Sequence, residues 1–444
     1  MINKNTVLIG ILSVLIISSC SQSSSTKTSK ESSTTGWKYN DRKQGGFDVV
    51  KKSEQTPGPG LMFVEGGRLT MGRVDEDVMS DWNNISKTVT VSSFYIDETE
   101  VRNLDYVEYL EWIKKHYVYE NSPFFTGTAR PEIYKKALPD TLVWRDKLGE
   151  NEMFVNNYLR HPSYREYPVV GVSWEQANDY CIWRTDRVNE RILINEGILK
   201  EDPEQVDDNT FNTEAYLAGQ YEGIVRRNLK NLDPSTGEKT RQVRMEDGLI
   251  LPKYRLATEA EWEFAALGLI GNLDPNSENI DSRRIYPWDG HYVRRKEDQW
   301  AGAIQANFVR GKGDYMGVSG ALNDGADVTA RVDDFWPNDY GLYHMAGNVS
   351  EWVMDIYRPM TAQDASDLNP FRGNQFEKLQ LDEEGYPVEK DSLGRLVYVP
   401  VTAEENTERR NYRKSDYRGY KDGGAGDSYD DFTSEDGDEF GEMM

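Results

Sequence analysis

Residues 338–355 constrain the fold of this chain more than any other stretch. They read Asn-Asp-Tyr-Gly-Leu-Tyr-His-Met-Ala-Gly-Asn-Val-Ser-Glu-Trp-Val-Met-Asp. Glycine and asparagine tolerate a positive φ, so we expect sharp backbone bends at Gly341 and at Gly347 with Asn348. From Glu351 onward polar and apolar residues alternate, which predicts a half-buried strand. A Gly-Asn turn that feeds a strand needs no ligand, so this stretch alone leaves a structural role and a binding site open.

The charge of the chain excludes one class of partner. The 444 residues carry 52 Lys and Arg against 76 Asp and Glu, a net charge of −24. Nucleic-acid surfaces need clustered positive charge, so we expect no nucleic-acid partner. Aromatic residues make up 11% of the chain, which is too many for a disordered protein and favours a folded, loop-rich domain.

The first residues have the features of a lipoprotein signal peptide, which we assign to 1–19. Lys4 precedes an apolar run of 11 residues at 7–17, too short for a membrane-spanning helix of about 20 residues. The run ends in Ile-Ser-Ser-Cys, which is similar to a bacterial lipobox and predicts acylation of Cys20. Two or three acyl chains would anchor the protein stably. An ordinary signal peptide with a chance cysteine is the alternative.

We predict a tether at residues 20–56, where Ser, Thr and Lys and then Gly are frequent. The aromatic residues at 36–41 interrupt it and indicate a docking segment rather than free coil. With Cys20 acylated, Cys181 is the remaining cysteine of the sequence, so no disulfide pairs two cysteines of this mature chain. Cys181 lies on the apolar face of a helix predicted to start after Ser173, which is typical of a small buried residue.

Several motifs, in a fixed order between residues 60 and 357, resemble the formylglycine-generating-enzyme (sulfatase-modifying factor) family. They include Glu-Val-Arg-Asn at 100–103, Tyr-Pro-Val-Val-Gly-Val-Ser-Trp at 167–174, Tyr-Arg-Leu-Ala-Thr-Glu-Ala-Glu-Trp-Glu-Phe-Ala-Ala at 254–266, Tyr-Pro-Trp at 286–288 and the stretch at 338–355. The resemblance implies an α+β, loop-rich C-type-lectin-like fold with insertions. Within 338–355, His344 stands where the family has Asp or Asn, and Ser350 stands where it has Trp.

On this basis the domain covers residues 57–380, with insertions near 117–165 and 195–250. Residues 381–444 are predicted to be a variable, acidic, disordered tail, because 422–444 hold nine acidic residues and no basic one.

Local patterns predict the main elements of the domain. Residues 61–72 read as one hairpin about two glycines, and 88–95 as a strand. Helices are expected from Asn103 to about 116, after Ser173, around 213–229, and after Thr258, whose spacing to Glu261 fits a capping box.

The resemblance also shows which chemistry is missing. Enzymes of the family use a C-terminal cysteine pair to bind copper, and thiolates are the soft ligands that copper requires. Residues 182–444 contain no cysteine, and the family motifs Arg-Gly-Gly-Ser-Trp and Gly-Phe-Arg do not occur in them. We therefore expect no copper and no catalytic residues.

Calcium is the cofactor that the resemblance leaves in place. One family site corresponds to Asn307, Phe308, Asp324 and Ala326, whose side-chain and carbonyl oxygens suit Ca²⁺. Asn307 and Asp324 as ordinary turn residues are the alternative. A second site would use Gly347, Val349 and Glu351, but His344 replaces one of its oxygen ligands.

A lipoprotein subgroup of the family resembles the chain in its lipobox, in residues 35–40 and 81–84, and in the variant Gly-Asn-Val-Ser-Glu-Trp. The resemblance implies a non-catalytic lipoprotein on the periplasmic face of the outer membrane, which supports gliding motility and assembly of the type IX protein secretion system. Its partners would be other gliding and type IX secretion proteins, and the membrane through the acyl anchor. A divergent enzyme of the family and a glycan-binding module are the alternatives.

Overall fold

The computed structural model divides the chain into two compact units. One comprises 1–54 and 228–248, and the other 55–227 and 249–444. The structure describes residues 30–50, 55–72, 84–118, 130–145, 150–203, 205–233, 237–267, 286–288, 292–296, 299–308, 328–357 and 377–402, with the single residues 235, 290, 326 and 405. Cys20 and the signal peptide lie outside these ranges, as does the acidic segment 422–444.

Four short strands open the larger unit and pair in two antiparallel ladders. Strands β1 (Leu61–Val64) and β4 (Phe94–Asp97) form one ladder, and β2 (Gly67–Met71) and β3 (Lys87–Val91) form the other. The predicted hairpin within 61–72 is therefore wrong, since β1 and β2 each pair with a later strand. Likewise the single strand predicted at 88–95 is divided between β3 and β4. The backbone of residues 91–93 passes so close to Gly66 that an added Cβ would lie 2.4 Å from it, so a larger residue at 66 would require the backbone to shift.

Several helices of the described residues begin at a side chain that caps their first turn. In chain order the helices are α1 (Asn103–Ile113), α2 (Pro131–Ala137), α3 (Glu152–Asn157), α4 (Trp174–Asn195), α5 (Thr213–Leu217) and α6 (Glu259–Leu267). The predicted caps of α4 and α6 are confirmed: Ser173 exchanges hydrogen bonds with Gln176, and Thr258 with Glu261. Helix α1 continues into a π-helical turn at Lys114–Val118. The helix predicted for 213–229 is wrong after Leu217, because α5 ends there.

Two clusters of buried side chains hold the larger unit together. In the first, α6 packs its Phe264 and Ala265 against β2 and β3, together with Leu342 and Met345 of the stretch at 338–355. In the second, α1 and α4 meet through stacked and edge-on rings of Tyr106, Tyr109, Tyr180 and Trp183. Such aromatic pairs add about 0.5–1.5 kcal/mol each beyond their buried area.

The smaller unit contains structure within the predicted tether. Residues 30–50 include an antiparallel bridge, a 3-10 turn at Arg42–Gln44 and a ring contact at 5.7 Å between Tyr39 and Phe47. The hairpin of β5 (Leu229–Lys230) and β6 (Thr240–Arg241) belongs to the same unit. Within this unit, Arg241 connects the segment 30–50 to residues 240–247, since its guanidinium donates to Asp48 at 2.8 Å and to Asp247 at 2.6 Å. The segment 30–50 is therefore folded rather than free coil.

Part of the predicted tail also carries structure. Strands β7 (Glu377–Leu379) and β8 (Tyr398–Pro400) pair antiparallel, and between them Leu396 is buried. Arg395 donates to Asp179 of α4 at 2.9 Å. Residues 381–402 are thus part of the folded unit. Over the ranges given above, no helix is both long and apolar enough to cross a membrane.

Candidate functional site

The two bends predicted in the stretch at 338–355 are present. Gly341 and Asn348 have φ of 86° and 68°, and His344 between them also has a positive φ of 53°. At the second bend the Asn348 N–H donates to the carbonyl oxygen of Asn307 at 2.9 Å. A Cβ on Gly347 would lie 2.2 Å from that same oxygen, so only glycine allows this approach.

The side chain of Asn348 is the centre of a buried polar network. Its Oδ1 accepts from the Ala330 backbone N–H at 2.8 Å and from Asn307 Nδ2 at 3.0 Å. Its Nδ2 donates to Glu100 Oε2 at 2.6 Å and to the Ala330 carbonyl at 3.3 Å. One amide therefore joins segments that are 18, 41 and 248 residues away in the sequence.

Glu100 is the unusual member of this network. Its side chain is 9% exposed, and Oε1 is buried with no hydrogen-bond partner. Burial, followed by the charge of Glu351, raises the pKa of Glu100 to about 8, against the lowering effect of hydrogen bonds from the Asn348 amide and the Val349 N–H. A buried carboxyl with an unsatisfied oxygen either holds a proton or faces a cation, and groups of this kind concentrate at functional sites.

Sequence reasoning missed Glu100 as a site residue. The sequence indicates it only as the first residue of the family motif at 100–103, and nothing in that motif indicates burial. Its position soon after β4, as the first residue of the family motif at 100–103, is the available signal.

The first predicted calcium site is described in part. Asn307 is buried, and its Nδ2 donates to the Val328 carbonyl at 3.1 Å and to Asn348 Oδ1 at 3.0 Å. Ala326 is buried and Phe308 is 38% exposed. Asp324 lies outside the described residues. Asn307 serves the fold as a connector, and its side-chain oxygen is the atom that suits a hard cation.

The second predicted site agrees less well with the residues present. His344 is buried, and its Nε2 lies 2.8 Å from the Arg331 carbonyl, so Nε2 carries the proton and donates. Burial also lowers the pKa of His344. A neutral imidazole fixed in this way does not supply the oxygen ligand that Asp or Asn would. The Val349 N–H donates to Glu100, so the carbonyl oxygen of Val349 is the backbone group that could face a cation.

Glu351 is bound to a tryptophan, and the strand predicted to start at this residue is not formed. Glu351 is exposed, and its Oε2 accepts from Trp262 Nε1 at 2.8 Å. Trp352 is 54% exposed and donates from Nε1 to the Val172 carbonyl. Residues 350–357 form no strand, so the alternation predicted a strand wrongly. These two tryptophans hold the segment in place by side-chain hydrogen bonds.

Taken together, the residues fit calcium partially. The unpaired Glu100 oxygen and the carbonyls near Gly347 suit Ca²⁺, whereas the imidazole of His344 does not. Within the described residues, no three His, Cys, Asp or Glu side chains converge as ligands for one ion. A site here would therefore depend on carbonyl and amide oxygens in addition to Glu100.

Comparison with known proteins identifies the domain. Residues 46–392 match the family described as the Sulfatase-modifying factor enzyme 1-like domain. The formylglycine-generating enzyme of Mus musculus is 25% identical over 309 residues, which cover 66% of this chain and 58% of that protein. The inactive C-alpha-formylglycine-generating enzyme 2 of Mus musculus is 24% identical over 331 residues, which cover 71% of this chain and 73% of that protein. The chain thus spans about three fifths of the formylglycine-generating enzymes of mouse and of Bos taurus.

Among solved structures, PvdO from Pseudomonas aeruginosa matches with a TM-score of 0.33 and 17% identity, covering 70% of this chain and 77% of that one. The family match over most of the chain, together with the mixed helices and strands described above, confirms the predicted loop-rich α+β fold. The chain belongs to the family of the Sulfatase-modifying factor enzyme 1-like domain.

Proposed function

We propose that this protein is a non-catalytic lipoprotein of that family, similar to gliding motility lipoprotein J, that supports gliding motility and assembly of the type IX secretion system. Its place would be the periplasmic face of the outer membrane, held there by acyl chains on Cys20. Its direct partners would be other gliding and type IX secretion proteins.

The observation that carries the non-catalytic assignment is the environment of Cys181. The sequence contains two cysteines, Cys20 and Cys181, and Cys181 lies partly buried on α4. Burial, followed by the charge of Asp97, raises the pKa of its thiol to about 12, although Arg184 acts in the opposite direction. At neutral pH this sulfur is a thiol, and thiols are poor nucleophiles and poor copper ligands.

A family member without the oxidase activity has a precedent among the relatives. The inactive C-alpha-formylglycine-generating enzymes 2 of mouse and of Bos taurus match 71% and 67% of this chain. The buried network around Asn348 stabilises the domain without requiring any reaction.

A direct assay tests the absence of activity. Purified protein, copper and oxygen are incubated with a Cys-X-Pro-X-Arg peptide, and the peptide thiol and aldehyde are measured. We expect the thiol to remain intact. Aldehyde formation that persists in Cys181→Ser would support the alternative, a divergent enzyme that uses other residues.

A second experiment tests the anchor and the orientation. Cys20→Ala is expected to release the protein from membranes, whereas Cys181→Ser, the matched control, leaves it bound. Protease added to intact cells is expected to spare the wild-type protein. Rapid digestion by external protease would contradict the periplasmic orientation.

The assembly role is tested by affinity purification from solubilised outer membrane of wild-type and Cys20→Ala cells. Recovery of gliding and type IX secretion proteins together with the wild-type protein would support the proposal. So would the loss of those partner proteins from the outer membrane of cells in which the gene is deleted. Specific binding on a glycan array without any such partner would favour a glycan-binding module.

A further inference from the structure

Two large aromatic side chains of the smaller unit face water. Trp37 is 57% exposed and Phe47 is 65% exposed. Both belong to the segment 30–50, whose backbone is folded by the bridge and the 3-10 turn described above. Rings left in water gain free energy when they reach a less polar phase, so the two side chains are available to a partner that offers one.

The backbone pairing of this segment brings Trp37 to the same face as Tyr39. Glu31 and Lys38 form an antiparallel bridge, and beside it the Tyr39 N–H donates to the Lys30 carbonyl at 2.9 Å. Successive side chains of paired strands point to opposite faces. Trp37, Tyr39 and Lys30 therefore share the face opposite to that of the bridged pair.

Phe47 completes this face. Its ring lies 5.7 Å from that of Tyr39, and its carbonyl accepts the Asn40 N–H at 2.9 Å. The carboxylate of the next residue, Asp48, accepts from the Arg241 guanidinium at 2.8 Å, which fixes the backbone beside Phe47. We call the resulting surface the aromatic face, and its members are Lys30, Trp37, Tyr39 and Phe47.

The position of the aromatic face in the chain indicates what covers it. Ten residues separate Lys30 from Cys20, the residue proposed to be acylated. A fully extended chain of ten residues spans at most about 35 Å. Acyl chains on Cys20 thus keep the aromatic face within reach of the bilayer surface. Tryptophan and other amphipathic rings favour the level of the lipid headgroups, where one part of the ring is in an apolar phase and another is hydrated.

The charge near the aromatic face also suits a lipid surface. Residues 21–53 contain seven Lys and Arg against three Asp and Glu, a net charge of +4, whereas the whole chain carries −24. Lys30, Lys38 and Lys43 are exposed. At physiological ionic strength the Debye length is about 8 Å, so the charges closest to the headgroups determine the electrostatic interaction. Each Lys or Arg close to an anionic membrane strengthens binding about fivefold.

We propose that the aromatic face docks onto a bilayer surface that contains anionic phospholipids. The rings of Trp37 and Phe47 lie at the level of the headgroups, and the Lys30 ammonium lies near the phosphates. The acyl chains tether the protein, and this second contact orients the smaller unit on the membrane. The inference rests on the anchor proposed at Cys20, but its test uses protein without acyl chains, so the two proposals fail separately.

Vesicle sedimentation tests the docking. Residues 20–444 with Cys20→Ala, which carry no acyl chain, are mixed with vesicles of phosphatidylethanolamine and phosphatidylglycerol, or of phosphatidylcholine alone. We expect binding to the anionic vesicles at least about fivefold tighter than to the neutral ones, and weaker as NaCl rises. No binding of this protein to either vesicle would overturn the docking proposal, whereas membrane retention of the acylated wild type would separately support the anchor.

Substitutions decide whether the aromatic face is responsible. Trp37→Ser and Phe47→Ser should each weaken binding to the anionic vesicles about tenfold, since each removes apolar area from the contact. Lys30→Gln should weaken it about fivefold. Trp37→Ser keeps the test valid if Phe47→Ser, which loses the ring contact with Tyr39, fails to fold.

Phe63→Ser is the matched control. Phe63 is 53% exposed, and its ring lies 5.3 Å from that of Tyr95 in the ladder of β1 and β4, so it resembles Phe47 in exposure and in having a ring neighbour. It should bind vesicles like the unsubstituted protein. Equal binding by all variants, or an equal loss in Phe63→Ser, would overturn the proposal. Dimerisation of the soluble protein that Trp37→Ser abolishes would assign the aromatic face to a second copy of the chain and would also overturn it.

Discussion

The amide of Asn348 donates to Glu100 Oε2 at 2.6 Å across 248 residues of sequence. This contact connects the turn in the family motif to the segment between β4 and α1. Because the same amide also bonds Ala330 and Asn307, one residue satisfies several buried polar groups that would otherwise be left without partners.

We predict that Asn348→Ala destabilises the domain by about 2–4 kcal/mol, since it leaves the Ala330 N–H and Asn307 Nδ2 without this acceptor. Asn348→Gly separates the side-chain contribution from the backbone, because glycine adopts the positive φ freely. We expect the glycine variant to lose nearly as much stability as the alanine variant. Urea denaturation measures both, and a glycine variant as stable as wild type would show that the amide contributes little.

The raised pKa of Glu100 predicts an unusual pH dependence of stability. A carboxyl whose pKa is about 8 in the folded protein and 4.5 when exposed stays protonated on folding, so its contribution is full below pH 4.5 and is lost as pH rises to about 8. The change is on the order of 4 kcal/mol across that window. Denaturation at several pH values, with EGTA present to remove calcium, measures it.

Glu100→Gln should remove this pH dependence, because the amide is neutral throughout. Glu98→Gln is the matched control, since Glu98 is exposed two residues earlier. If the two variants show the same pH profile as wild type, Glu100 is ionised in the folded protein and the buried-proton interpretation is wrong.

Sequence reasoning identified the parts of this domain that depend on local patterns. Ser173 and Thr258 cap their helices as predicted, because capping needs only residues three positions apart. It failed for the pairing of β1 with β4, because ladder partners are chosen by packing that no local pattern records. It failed for Glu100 for the same reason, since the burial of this carboxyl depends on Asn348, far away in the sequence.

We predict that calcium stabilises the domain through Asn307 and Asp324. A ligand present at a hundred times its dissociation constant adds about 2.7 kcal/mol to the free energy of unfolding. Calcium should therefore raise the melting temperature of wild type and have no effect on Asp324→Ala. Asp208→Ala removes an exposed carboxylate elsewhere and serves as the control. An unchanged melting temperature after EGTA treatment of the wild type would exclude the site.

The last prediction concerns His344, which occupies the position where the family resemblance implies Asp or Asn. Its positive φ of 53° is one that asparagine adopts readily, so His344→Asn should fit the backbone without strain. The shorter side chain gives up the hydrogen bond to the Arg331 carbonyl, and it supplies an amide oxygen close to Gly347 and Val349. We therefore expect His344→Asn to bind one calcium ion more than wild type in a calorimetric titration. His344→Ala, which removes the imidazole without adding an oxygen, is the control and should bind as wild type does. If His344→Asn and His344→Ala bind the same number of ions, the imidazole is not what prevents a second site, and the ligand geometry around Gly347 is inadequate for calcium.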